Sequence, residues 1–125
     1  MKLLLDTHVL LWALAMPEKL GASSRSALEN PGNTIFVSAV SAWEIEIKRA
    51  LGKLRAPDDL EEQLRAARFS ELPLRVRHVQ ELARLPELHR DPFDRMLIAQ
   101  ARADDLKLMT HDRRILAYPV QTVAV

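Results

Sequence analysis

The chain has 125 residues, 48% of them apolar, enough for one core and for one domain over residues 1–125. Lys and Arg number 18 against 17 Asp and Glu, so affinity for a polyanion must come from local patches and not from net charge. No cysteine is present, which excludes a disulfide framework and thiolate-held zinc and is compatible with a cytoplasmic location.

Lys2–Leu5 is apolar and ends abruptly at Asp6-Thr7, as a buried strand does. Asp6 and His8 divide the apolar N-terminal letters into pieces too short for a secretory h-region, and no run reaches the ~18 apolar residues of a membrane span. Val9–Ala15 reads as a helix stopped by Pro17, and Leu20–Leu28 as a second, leaving through Asn30-Pro31-Gly32-Asn33. Thr34–Val37 is a β-branched and aromatic strand. Ser38 opens a helix to about Leu51, with Gly52 as its C′ residue. Trp43, Ile47 and Leu51 predict that this helix is substantially buried, and core packing is the expected role of both Trp12 and Trp43.

Pro57-Asp58 starts a helix through about Arg68, followed by a short strand over Phe69–Leu72 and a helix over Arg75–Leu85. Asp91-Pro92 caps a helix reaching Ala103, with Phe93, Met96, Leu97 and Ala101 as its packing stripe. Leu106–Met109 is a strand, Asp112–Leu116 one helical turn, and Val120–Val123 a last strand. Strands alternating with helices predict an α/β domain whose mainly parallel sheet lies between helical layers.

The chemistry sits in four acids remote in sequence: Asp6, Glu44, Asp94 and Asp112. Each falls at a strand end or a helix start, and the carboxyl ends of parallel strands share one rim. Each also has a plain structural role available. Asp6 or Thr7 could N-cap the first helix, Glu44 could pair with Lys48 or close a capping box with Ser41, and Asp112 could cap its helical turn. Asp91 is required as a cap, which leaves Asp94 the freer carboxylate. His8 and His111 adjoin acids and are read as turn or supporting residues. Four carboxylates in one crevice call for a hard cation, Mg²⁺ or Mn²⁺, and so for hydrolysis of a phosphate ester. Neither a haloacid-type phosphatase nor a phosphotransfer receiver fits. The first needs an acid where His8 stands, the second a late-strand lysine where this chain has acids.

Four segments, taken in order, resemble the acidic motifs of PIN-domain proteins, and most closely those of VapC-type toxins of toxin–antitoxin operons. They are Leu3-Leu4-Leu5-Asp6-Thr7-His8, Ser38-Ala39-Val40-Ser41-Ala42-Trp43-Glu44-Ile45, the run Asp91-Pro92-Phe93-Asp94-Arg95-Met96-Leu97-Ile98-Ala99-Gln100-Ala101, and Met109-Thr110-His111-Asp112. The resemblance implies a three-layer α/β/α PIN-like fold with roughly five strands. It implies one Mg²⁺ or Mn²⁺ site on Asp6, Glu44, Asp94 and Asp112, supported by Thr7, Ser38, Thr110 and Asp91. Asp6 and Asp94 are then the expected direct ligands. It also implies endoribonuclease activity on RNA, a homodimer, and a small antitoxin that joins the toxin on operator DNA. RNA is expected to meet Lys48, Lys53 and Arg113, with Arg49, Arg55 and Arg114 in the same basic clusters. The competing expectation is a non-catalytic module whose acidic crevice captures a basic partner.

Overall fold

Five short strands form one sheet in the order β3-β2-β1-β4-β5, every neighbouring pair parallel. This is a computed structural model describing residues 1–125. The strands are β1 (Lys2–Leu5), β2 (Thr34–Ser38), β3 (Ser70–Leu72), β4 (Lys107–Thr110) and β5 (Thr122–Ala124). The helices are α1 (Thr7–Ala15), α2 (Ala22–Glu29), α3 (Ala39–Ala50), α4 (Leu60–Ala66), α5 (Val76–Glu81), α6 (Pro92–Ala103) and α7 (Arg113–Leu116). Short 3₁₀ turns occupy Pro17–Lys19 and Leu82–Arg84.

Period-two alternation in β1 builds the layers. Leu4 joins Leu97, Ile98, Leu108 and Ile115 on one face, while Leu3 and Leu5 join Val9, Leu10, Ile35, Val37 and Met109 on the other. Helices α6 and α7 cover the first face, and α1 with Leu64 of α4 the second. Helix α3 reaches both, through Val40 and Ile45 respectively. None of the helices is long and apolar enough to cross a membrane.

The register pairs Leu3 with Ile35 on one side and with Lys107 on the other. After β1 the chain moves outward through β2 and β3, then returns to place β4 on the opposite flank of β1. The strand order reverses between β1 and β4, so a crevice opens beyond their carboxyl ends.

Most predicted elements are present, with shifts that have local causes. Helix α3 ends in a Schellman motif: Lys53 N donates to Lys48 O at 2.8 Å, Gly52 N donates to Arg49 O at 3.0 Å, and Gly52 has φ +69°. Helix α4 begins at Leu60, later than Pro57-Asp58 predicts, and Asp59 makes no side-chain cap there. The segment expected as one helix over Arg75–Leu85 is α5 followed by a 3₁₀ turn.

The expectation of a buried Trp43, Ile47 and Leu51 is wrong: they are 58%, 36% and 63% exposed. The inward stripe of α3 is instead Val40, Ser41, Glu44 and Ile45. Two polar residues face the interior because each finds a partner there, so an apolar stripe is left facing outward. Trp12 is half-buried against the core, as expected in part.

Candidate metal centre

Asp6 follows β1 directly, and its Oδ1 accepts the Val9 N–H at 2.8 Å, which makes it the N-cap of α1. Thr7 is therefore not the cap. Its hydroxyl turns inward, donates to Glu44 Oε1 at 2.6 Å and lies 3.1 Å from Ser41 Oγ. The second Asp6 oxygen accepts the Thr110 hydroxyl at 2.5 Å, and Thr110 Oγ1 in turn accepts the Asp112 N–H at 3.0 Å. Thr110 thus ties the ends of β1 and β4 across the switch point. Burial pushes the Asp6 carboxyl above its ordinary value, against the hydrogen bonds from Thr110 and Val9 and the nearby His8 and His111.

Glu44 is buried on α3 and forms an ion pair with Lys48 one turn later. No Ser41 capping box forms, because Ser38 caps this helix by accepting the Val40 N–H at 3.0 Å. The Ser38 hydroxyl also donates to the fully buried Gln100 at 2.5 Å, which locks α3 to α6. Lys48 is held above its ordinary pKa: burial lowers it, and Glu44, Asp91 and Asp94 together outweigh that effect. The residue expected to meet RNA is thus engaged with the acids, whereas Lys53 and Arg113 are exposed. Of the remaining cluster cations, Arg49 bonds Asp58 at 2.5 Å and Arg55 is exposed.

Asp91 caps α6 ahead of Pro92, its Oδ1 accepting from the N–H groups of Phe93 and Asp94 at 2.8 and 3.1 Å. Asp94 stands in the first turn of that helix with its side chain 15% exposed. Its pKa is pushed up to about 6, by burial first and then by the charges of Asp91 and Glu44; His89 opposes the rise. His89 Nε2 lies 2.8 Å from Asp94 Oδ2. Asp112 caps α7, accepts the Arg114 N–H at 2.9 Å and pairs with the Arg114 guanidinium at 3.2 Å. Burial would raise the Asp112 pKa, and the Arg114 hydrogen bonds outweigh it, leaving the carboxyl below its ordinary range.

Ligand atoms of His89, Asp94 and Asp112 all lie within 4.8 Å of one another. Glu44 is near enough to raise Asp94, and Asp6 reaches the same rim through Thr110. Of the two acids expected to be direct ligands, Asp94 belongs to this close trio and Asp6 does not. Both Asp6 oxygens accept hydrogen bonds from the chain, as both Asp112 oxygens do from Arg114.

Sequence reasoning gave His89 no role. Its available signal was its place in His89-Arg90-Asp91-Pro92, just ahead of an obligatory helix start. Its position is set by Tyr118, whose hydroxyl accepts the Leu88 and His89 N–H groups at 3.2 and 2.8 Å, a contact no spacing rule reveals.

The donor set fits a hard divalent cation. It is mostly carboxylate oxygen, with one imidazole that Mn²⁺ also accepts. The Asp94 pKa is raised by burial first and then by the neighbouring charges of Asp91 and Glu44, both of which a bound cation would offset.

Sheet and crevice together define a parallel α/β domain with an acidic cluster at its topological switch point. The chain belongs to the PIN domain family, whose sequence profile matches residues 3–120. No curated protein sequence matches it. Among solved structures, it is similar to VapBC2 from Rickettsia felis bound to a DNA fragment from its promoter. That pair has a TM-score of 0.74 at 16% identity, over 99% of this chain and 98% of the other. DNA-bound VapBC from Salmonella typhimurium gives 0.66 at 18% identity, over 99% and 98%. VapBC-1 from nontypeable Haemophilus influenzae gives 0.63 at 20%, over 99% and 98%. At such identities the likeness is one of fold.

Proposed function

We propose that the protein is a Mg²⁺- or Mn²⁺-dependent endoribonuclease and the toxin of a VapBC-type pair. The observation that carries the reading is the approach of Asp94, Asp112 and His89 at the switch point, with Glu44 beside them and Asp6 linked through Thr110. Asp94 and Asp112 would hold the cation directly, with Glu44 and Asp6 completing the negative field around it. When bound, such a cation polarises the phosphodiester and stabilises charge developing on it. The chain's own part is positional. Thr7 and Thr110 fix Glu44 and Asp6, Asp91 frees Asp94 from capping, and Tyr118 sets His89 against Asp94. Lys53 and Arg113, both exposed, would guide RNA to the crevice, and Lys48 would meet a phosphate only by leaving Glu44.

The test is purified protein with labelled RNA and Mg²⁺ or Mn²⁺, repeated with EDTA and with Asp94→Asn. Cleavage abolished by both is expected. Cleavage surviving both marks a contaminant, and no cleavage of any RNA favours the binding module.

The neighbours described as VapBC assemblies, two of them on DNA, support a small antitoxin partner and a shared operator complex. Expression without that partner, in the cytoplasm where RNA is available, is expected to arrest growth. A homodimer would cover the outward stripe of α3. Trp43 also lines a groove of about 400 Å³ with Val40, Leu74, Leu82 and Met96. Trp43→Asp with Ile47→Asp should sediment as a monomer, and an unchanged mass would remove this face from the interface.

A further inference from the structure

Three aromatic rings meet across the switch point. His8 and Trp12 stand one turn apart on α1 with ring centroids 6.3 Å apart. His111, in the loop after β4, lies 4.6 Å from Trp12 and 6.4 Å from His8, and its plane is 81° to the His8 ring. Trp12 is packed against the core, while both imidazoles are exposed. The Lys19 ammonium sits 5.7 Å from the centre of the Trp12 ring. None of this is needed to shape the acids. Asp6 and Asp112 are held by Thr110, Val9 and Arg114.

We propose that His8 and His111, floored by Trp12, form a seat for one unpaired nucleobase of the RNA strand. The inference rests on the ribonuclease reading and adds where the strand is gripped. Two flat rings nearly at right angles offer a face for stacking and an edge-on wall beside it, the geometry aromatic pairs prefer. Aromatics interleaved with a cation are what single-strand binders present to base and backbone. Position adds the functional link: His8 is two residues from Asp6 and His111 adjoins Asp112. A base seated here belongs to a nucleotide next to the phosphate at the cluster. The seat asks for an extruded base, so it favours loops and single strands over duplex. A protein partner could also cover these rings, and the test separates the two.

The test uses full-length protein carrying Asp94→Asn, to leave RNA intact, and Trp43→Phe, to make Trp12 the sole indole. The probe is an unpaired RNA hexanucleotide with Mg²⁺, its binding followed by anisotropy and the seat by Trp12 emission. Trp12 emission should change in step with binding. Trp12→Leu or His111→Ala should weaken binding about tenfold, with partial recovery in Trp12→Phe and His111→Phe. A hexanucleotide with abasic sites should bind as weakly to the parent as the intact one does to Trp12→Leu. Two results overturn the seat while leaving the nuclease standing: RNA binding with no Trp12 response, or equal affinity for intact and abasic RNA. Should Trp12→Leu fail to fold, His111→Ala and the abasic probe decide alone. If no RNA binds and the wild-type protein cleaves none, the ribonuclease reading falls and takes the seat with it.

Discussion

Replacing Asp94 by Asn should abolish cleavage and yet stabilise the metal-free protein. The carboxyl moves from 3.8 to about 6 on folding, so at pH 7.5 the chain folds against the cost of ionising a group that prefers to stay protonated. That rise, at about 1.36 kcal/mol for each tenfold change in proton affinity, sets an upper bound of about 3 kcal/mol. The amide keeps part of the burial cost, so the gain should be about 1–3 kcal/mol. For a domain of this size that is roughly 4–12 °C in Tm. The native state binds the extra proton between pH 3.8 and about 6, so wild-type stability from this group falls as pH rises through that window and is lowest above it. The advantage of Asp94→Asn should therefore be fullest at pH 7.5 and shrink below about 1 kcal/mol near pH 4. Thermal denaturation in EDTA at both pH values measures it. Addition of Mn²⁺ at a hundredfold excess over its Kd should raise the wild type by about 2.7 kcal/mol and the variant far less. A variant that melts below the wild type in EDTA at pH 7.5 would refute the claim that folding ionises Asp94 at a cost.

Metal affinity should follow the same carboxyl. With half-ionisation near pH 6, Mn²⁺ should bind about tenfold more weakly at pH 5 than at pH 7; calorimetry showing equal affinity would remove Asp94 from the ligands. Tyr118→Phe deprives the Leu88 and His89 N–H groups of their acceptor. It should cost about 1–3 kcal/mol by denaturant unfolding and slow cleavage by loosening His89; an unchanged midpoint would show that the loop is held elsewhere. Arg68 ends α4 at φ +62°, a conformation costing a side chain roughly 1–2 kcal/mol, of which glycine's unfolded-state entropy cancels roughly 0.5–1. Arg68→Gly should accordingly raise stability by about 0.5–1 kcal/mol without touching activity, and a fall in Tm would contradict it.

The sheet was legible because its strands are short apolar runs bounded by strong breakers: Leu5 by Asp6, Val37 by the cap Ser38, Met109 by Thr110-His111-Asp112. The cap of α6 followed from Asp91-Pro92, a good N-cap residue ahead of a proline suited to the first helical position. Local chemistry of this kind is written in neighbouring letters. The burial of α3 was not, because its two outward and inward stripes differ less in hydrophobicity than in whether their polar members find partners. Ser41 meets Thr7 of another helix, and Glu44 meets that same Thr7 as well as Lys48.

The sequence by itself determined that this is a parallel α/β chain with acids at its strand ends, since periodicity and breakers are short-range properties. Only the tertiary structure decided which acids come together. Asp6 spends both oxygens on Val9 and Thr110, and Glu44 is engaged by Thr7 and Lys48. Asp94 and Asp112 meet with His89 brought in by Tyr118. Hydrogen bonds that span up to 104 residues set these roles, and no local pattern encodes such a pairing before the chain has closed on itself.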